Sequence, residues 1–70
     1  MSAVDKAIAI VGTQQALADL VGVSSMAVSK WRRHRVPAER CRAIERATNG
    51  EVTAHDLRPD IFGPADQAAA

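Results

Sequence analysis

The sequence of 70 residues is poor in cysteine and in aromatic side chains. It has one cysteine, Cys41, no tyrosine, one tryptophan and one phenylalanine. A single cysteine excludes an intrachain disulfide, and no four-ligand zinc set is present because His34 and His55 are isolated. A chain of this length buries only about 60% of its unfolded surface. We therefore expect a single domain that gains stability from oligomerisation.

Long apolar runs and the usual signatures of catalysis are also missing. The longest unbroken apolar run, residues 7–11, is far shorter than the roughly 20 residues that span a bilayer. No basic start followed by an apolar stretch and a cleavage site is present, so we expect a cytoplasmic protein with no membrane contact. The sequence has no paired carboxylates, no triad candidate and no glycine-rich phosphate loop. It predicts no enzyme, no cofactor and no bound metal, and Cys41 is interpreted as a small buried hydrophobic residue.

Charge is balanced overall but unevenly distributed. The formal net charge is +1, yet residues 30–46 hold seven lysines and arginines against two glutamates, while the rest of the chain carries an excess of four carboxylates. A cationic region on a small protein indicates a polyanionic partner, nucleic acid in particular. The alternative is that these charges only solvate the outer faces of helices.

Capping residues and apolar spacing predict a series of short helices. Ser2, Thr13, Ser24 and Thr53 stand where a hydroxyl group caps a helix start. Pro37 fits the first position of a fourth helix. No strand pattern of useful length is present, so the prediction is a compact all-α domain of four to five helices.

The apolar pattern also predicts which residues are buried and where the domain ends. The residues expected to face inward on the first, second and fourth helices are Val4, Ala7, Ile8, Val11, Leu17, Leu20, Val21, Cys41, Ile44 and Thr48. A last helical turn is expected to end at Pro59, with Ile61 and Phe62 as the final packed residues. The domain is therefore predicted over residues 1–62, and residues 63–70 are predicted to be a disordered tail.

The stretch "LVGVSSMAVSKWRR", residues 20–33, carries the functional signal. At 100° per residue, Ala27, Val28 and Trp31 fall within one arc about 100° wide. The opposite side holds Ser25, Met26, Ser29, Lys30 and Arg33. Short polar side chains let a helix approach a surface closely, and cations add attraction. A DNA major groove, about 12 Å wide, accepts one α-helix with such a face.

The residues before this helix predict a helix-turn-helix. Ala18 is small where two helices would cross, and Gly22 suits the tight turn between them. The apolar residues that would join the two helices are Leu17, Val21, Val23, Val28 and Trp31.

Two longer strings resemble known regulators. "TQQALADLVGVSSMAVSKWRR" resembles the DNA-binding unit of Cro/CI-type phage regulators, a lambda-repressor-like helix-turn-helix domain. The continuation "VPAERCRAIERATNGEVTAHDLRPDIF" resembles the Cro-like prophage proteins grouped as the YdaS family, some of which are labelled antitoxins. The likeness covers about residues 4–62. It implies a bacterial, nucleoid-associated, dimeric repressor that binds a double-stranded DNA operator.

The resemblance also implies roles for individual residues. The positions that face base edges would be Ser25, Met26, Ser29 and Lys30, with Arg33 reaching either a guanine or a phosphate. Gln14, at the start of the second helix, would contact a phosphate, or serve only as a helix-start residue. Their positions near the end of the third helix and after it make Arg32, Arg35 and Arg40 further candidates for phosphate contacts. Met26 can pack on a thymine methyl but cannot make a bidentate adenine contact.

Two functions follow as hypotheses. The first is a sequence-specific repressor acting as a homodimer, with a dimer surface around Val52, Leu57, Ile61 and Phe62. The second is an antitoxin-type module that binds a partner toxin and depends little on the third helix.

Overall fold

Six short helices and their connecting turns make up residues 2–63, the part of the chain that this computed structural model describes. They are α1 (Ala3–Val11), α2 (Gln14–Val21), α3 (Ser25–Arg33), α4 (Ala38–Ala47), α5 (Ala54–Leu57) and α6 (Pro59–Phe62). Residues 2–63 contain no strand, which confirms the all-α prediction.

Hydroxyl caps set four of the helix starts, as predicted. Each of the four side chains accepts a hydrogen bond from the backbone N–H three residues later: Ser2, Thr13, Ser24 and Thr53. Each bond satisfies an N–H group that has no partner within its own helix. At the start of α5 the cap is reciprocal, because the Oδ2 of Asp56 accepts from the Thr53 N–H at 3.1 Å.

The two prolines depart only in part from their predicted positions. Pro37 is not the first residue of α4 but the residue before it, with an extended backbone at φ −57° and ψ 140°, and the helix begins at Ala38. The turn capped by Thr53, α5, ends at Leu57, before Pro59, as expected, but Pro59 has a second role. It is the first residue of a sixth, α6, where its missing N–H is not needed.

One core joins α1 to α5. Its fully or nearly fully buried apolar residues are Val4, Ala7, Leu17, Ala18, Val21, Val28, Trp31, Val36, Cys41, Ile44, Val52 and Ala54. Thr48 is also buried, and its hydroxyl donates to Ile44 O while accepting from the Val52 N–H at 3.1 Å. Burial of this polar group is tolerated because its hydrogen bonds are satisfied.

Two residues expected in the core lie at the surface. The Leu20 side chain of α2 is 61% exposed and Ile61 of α6 is 50% exposed. Leu20 lies outside the core because Leu17, Ala18 and Val21 already fill the side of α2 that faces α3 and α4. Phe62, by contrast, is half-buried against the core as expected.

The predicted dimer surface loses one member. Val52 is fully buried, because Asn49 and Gly50 adopt positive φ angles of 53° and 83° and the turn brings Val52 back onto Thr48. Gly63, the first residue of the predicted tail, follows α6 directly. The rest of that tail lies outside the described residues.

The helix-turn-helix has the predicted construction. Gly22 occupies the left-handed region at φ 84° and ψ 34°, which a glycine adopts without steric cost. The N–H groups of Gly22 and Val23 both donate to the carbonyl of Ala18, at 2.8 and 3.0 Å. Ala18 itself is fully buried. This turn sets α3 against the core along one side only.

Candidate nucleic-acid interface

The inner side of α3 is held by apolar packing. Val28 is completely buried, Trp31 is 7% exposed, and Ala27 packs against the same cluster. These are the three residues that the helical wheel placed inside. Because they are locked in the core, the orientation of the opposite side of α3 is determined by the fold.

The outer side of α3 forms a polar and cationic ridge, defined here as Ser25, Met26, Ser29, Lys30 and Arg33. Met26 is 70% exposed, Lys30 and Arg33 are exposed, and the two serines are half-buried. Within residues 2–63, neither Lys30 nor Arg33 takes part in an ion pair. The ridge therefore presents two uncompensated positive charges at its C-terminal part.

The first residue of the ridge is tied to α2. The Nε2 of Gln14 donates to the carbonyl oxygen of Ser25 at 2.9 Å and to its Oγ at 3.1 Å. The start of the helix that precedes the turn thus holds the start of α3. Since the Ser25 hydroxyl acts as an acceptor in this bond, its own hydrogen remains available as a donor.

Arg32, beside the ridge, is bound to two other helices. Its Nε donates to the Oδ1 of Asp5 in α1 at 2.8 Å, and its Nη1 donates to the Oε1 of Gln14 at 3.3 Å. Hydrogen bonds from Ser2 and from Arg32 lower the pKa of Asp5 below its usual value. Sequence reasoning missed Asp5, because it lies 27 positions from Arg32 and no local pattern links the two.

Arg35, in the link after α3, shares a carboxylate with a second arginine. Its Nη1 lies 3.1 Å from the Oδ2 of Asp60, which also accepts from the Nη2 of Arg58 at 2.8 Å. The Nε of Arg58 donates to the other carboxylate oxygen at 3.0 Å, and its Nη1 donates to the carbonyl of Val36. Hydrogen bonding to Arg58, assisted by the charge of Arg35, lowers the pKa of Asp60 to about 2. Two guanidinium groups on one carboxylate leave this cluster with a surplus positive charge.

The remaining predicted phosphate contact, Arg40, stands apart. It is half-buried in the first turn of α4, and within residues 2–63 no side-chain hydrogen bond joins it to α3. Further along α4, Arg42 pairs with Glu45 at 3.4 Å, and its guanidinium lies 5.3 Å from the centre of the Phe62 ring. The Arg42–Glu45 pair is an ordinary surface pair between neighbouring positions of one helix.

Other chemistry finds little support in the described residues. No group of three or more histidine, cysteine or acidic residues in residues 2–63 is placed to hold a metal ion. Burial raises the pKa of the Cys41 thiol, which disfavours the reactive thiolate. None of the helices in residues 2–63 has the length and apolar character needed to cross a membrane.

Comparison with known proteins places this geometry in a family. Residues 4–66 match the family described as "Bacterial toxin YdaS". The chain belongs to the YdaS family. The "Putative transcriptional regulator YdaS" of Escherichia coli (strain K12) is 55% identical over an alignment of 58 residues, and the match covers 80% of this chain and 59% of that relative. The chain therefore spans about three-fifths of the length of this curated YdaS relative.

A solved structure carries the same fold. The Cro protein from "putative prophage element Xfaso 1" in Xylella fastidiosa strain Ann-1 matches with a TM-score of 0.86 and 56% identity, over 90% of this chain and 98% of that one. The Cro-type helix-turn-helix fold and the YdaS resemblance predicted from the sequence are both confirmed.

Proposed function

We propose that this YdaS-family chain is a DNA-binding transcriptional regulator that reads an operator in the major groove with α3. The observation that carries the proposal is the division of α3 into two sides. One side is buried and anchored by Val28 and Trp31, and the other is an outward ridge whose cations pair with no carboxylate of residues 2–63. The name of the curated relative, a transcriptional regulator, agrees with this function.

The ridge supplies the groups that base readout requires. Ser25 and Ser29 offer hydroxyl groups that can donate or accept, and Met26 offers an apolar surface for a thymine methyl. Lys30 and Arg33 can donate to the O6 and N7 acceptors of guanine. We assign these five side chains to base contacts because they share the outward side of one helix.

Phosphate contacts are assigned to cations and donors beside the ridge. Arg35 carries the surplus charge of the Asp60 cluster and its side chain is 74% exposed, so it can turn toward a phosphate while Arg58 keeps Asp60 paired. The side-chain amide of Gln14 is bonded to Ser25 and Arg32, so its phosphate contact is assigned to the backbone N–H groups at the start of α2, where the helix dipole favours anions. Arg40 is a third candidate, from the start of α4.

A homodimer on a two-fold operator would place two α3 helices in successive major grooves, about 34 Å apart. With Val52 buried, the apolar residues left for the predicted dimer surface are Leu57, Ile61 and Phe62, of which Ile61 is the most exposed. This surface belongs to the proposal and is tested by the size of the DNA complex.

The experiment that tests the proposal is selection from a pool of random-sequence duplex DNA with the purified chain. We expect enrichment of an inverted repeat, bound at two protomers per duplex. The affinity should fall steeply with salt, by about 0.9 in log K per log salt for each phosphate contacted. The matched control is the double variant Lys30→Ala, Arg33→Ala, which should enrich no common sequence. Failure of the wild-type chain to enrich any sequence would overturn the proposal.

The family description, "Bacterial toxin YdaS", connects the family with toxin–antitoxin systems and leads to one alternative function. In this alternative the chain is an antitoxin-type module that binds a partner toxin through a surface other than α3. Co-expression with the neighbouring genes of the native locus and purification of the complex would test it. A stable one-to-one complex that persists in the Lys30→Ala, Arg33→Ala variant favours the alternative. If no complex forms, or if the complex is lost in that variant, the alternative of a partner bound outside α3 is overturned.

A further inference from the structure

We propose that Asp5, a residue of α1, is a positioning residue for the DNA-reading helix. The Asp5 carboxylate neutralises Arg32 and holds the Arg32 side chain against Gln14. Arg32 thereby stabilises the position of the start of α3, as an internal brace, instead of attracting phosphates. This inference rests on the proposed function and changes the role of Arg32 from a phosphate contact to an internal brace.

The geometry forms a continuous chain of hydrogen bonds across three helices. The Asp5 carboxylate accepts from Arg32 Nε at 2.8 Å, Arg32 Nη1 donates to Gln14 Oε1 at 3.3 Å, and Gln14 Nε2 donates to Ser25 at 2.9 and 3.1 Å. The chain begins in α1, passes the end of α3, and returns through the start of α2 to the first residue of α3. Both ends of the reading helix are therefore linked to the same network.

The charges distinguish Arg32 from Arg35. Among residues 2–63, Asp5 has one cationic partner, so the Asp5–Arg32 pair is neutral, whereas Asp60 has two. Arg32 also uses two of its three guanidinium nitrogens on protein partners, in the forked geometry that only arginine provides. If the Arg32 side chain turned away from α1 and α2 toward a phosphate, both bonds would break and the Asp5 carboxylate would lose this arginine partner.

The position of Asp5 explains why its neutralisation matters. Asp5 lines a polar concavity together with Arg32 and two members of the ridge, Ser29 and Arg33. An unpaired carboxylate at this place would repel the DNA backbone, and an unpaired Arg32 would bind any phosphate regardless of sequence. Pairing the two removes both effects, which favours sequence-dependent contacts over general attraction to DNA.

Asp5→Asn is the variant that tests the inference, with two duplexes as probes: the sequence that the wild-type chain enriches and a shuffled duplex of equal composition. Without its carboxylate partner Arg32 can bind phosphates, so the affinity for the shuffled duplex should rise several-fold at low salt. The slope of log K against log salt concentration for this duplex should become steeper by up to about 0.9. The ratio of the two affinities should fall about tenfold, because Ser25 is less firmly placed. Glu51→Gln, in the exposed turn after α4, is the control with the same change in net charge and should leave the ratio unchanged.

Two conservative variants separate positioning from charge. Asp5→Glu restores the carboxylate and should return shuffled-duplex binding to the wild-type level. Arg32→Lys keeps the positive charge but cannot donate to Asp5 and Gln14 through a planar fork, so it should also lower the affinity ratio. A phosphate-contacting Arg32 would instead tolerate lysine.

A measurement without DNA makes the inference independent of the operator. In ¹H–¹⁵N NMR spectra of the free chain, Asp5→Asn should shift the side-chain amide of Gln14 and the backbone amide of Ser25, 20 positions away, while signals from α4 stay in place. Unchanged Gln14 and Ser25 signals, or an unchanged affinity ratio in Asp5→Asn or Arg32→Lys, would overturn the inference. Failure of the wild-type chain to enrich any duplex would overturn the proposed function instead.

Discussion

The two sides of α3 differ in what they contact, and the contrast separates folding from recognition within nine residues. The inner side places Val28 and Trp31 among core residues from other helices. The outer side presents Met26, Lys30 and Arg33 to solvent. Substitutions on the inner side should therefore change stability first, and substitutions on the outer side should change DNA binding with little effect on stability.

The largest effect is expected from Trp31→Ala. Removing a buried indole costs about 3–5 kcal/mol of unfolding free energy, which is a large part of the stability of a domain this small. Urea denaturation followed by circular dichroism measures the loss. Met26→Ala, on the exposed side of the same helix, is the control and should change stability by no more than about 0.5 kcal/mol. If the two variants lost equal amounts of unfolding free energy, the division of α3 into a buried inner side and an exposed outer side would be contradicted.

A smaller effect, on specificity alone, is expected from Lys30→Ala. Loss of a base contact should cost about 1–3 kcal/mol at the base pair that Lys30 reads and relax the preference there. Repeating the selection with this variant would show which operator position loses its preference, and its melting temperature should match that of the wild type. A uniform loss of affinity for all sequences would assign Lys30 to the phosphate backbone.

Arg35→Ala should weaken binding without changing sequence preference. Because Arg35 is the surplus cation of the Asp60 cluster, its loss should lower affinity for the enriched and shuffled duplexes alike and reduce the salt slope by about 1. Titrations of both duplexes over a range of salt concentrations measure this. A change in the ratio of the two affinities would mean that Arg35 contributes to sequence readout.

The smallest effect concerns pH and the Asp60 cluster. Hydrogen bonding to Arg58 lowers the pKa of Asp60 from 3.8 to about 2, so the folded state favours the carboxylate. This contribution to stability is complete above about pH 4 and is lost as the pH falls toward 2. Urea denaturation between these pH values should show a smaller decrease in unfolding free energy for Asp60→Asn than for the wild type. Equal decreases would mean that the cluster does not stabilise the fold.

Local hydrogen bonding made much of the fold predictable. The hydroxyl caps of α1, α2, α3 and α5 act over three residues, so the sequence specifies them directly. The buried and exposed sides of α3 followed from helical periodicity for the same reason. The errors at Leu20 and Ile61 arose because both are apolar and near the inward direction, and only the neighbouring helices decide which apolar residues find room in the core.

The sequence predicted which residues form the candidate site, but not the hydrogen bonds and ion pairs that join them to the rest of the fold. The ridge and the cations around it were identified from spacing and charge. Their partners were not, because Asp5 is 27 residues from Arg32 and Asp60 is 25 residues from Arg35. Arg58 was passed over because its contact with the Val36 carbonyl spans 22 residues.

By itself, the sequence determined where most helices begin, which side of α3 is apolar and which cations accompany it, since these depend on neighbours within a few positions. Only the tertiary structure decided which carboxylate meets which arginine. Those pairs join residues of different helices, and the packing of the core sets the distances between them. The neutral Asp5–Arg32 pair and the cationic Asp60 cluster are thus properties of the folded chain.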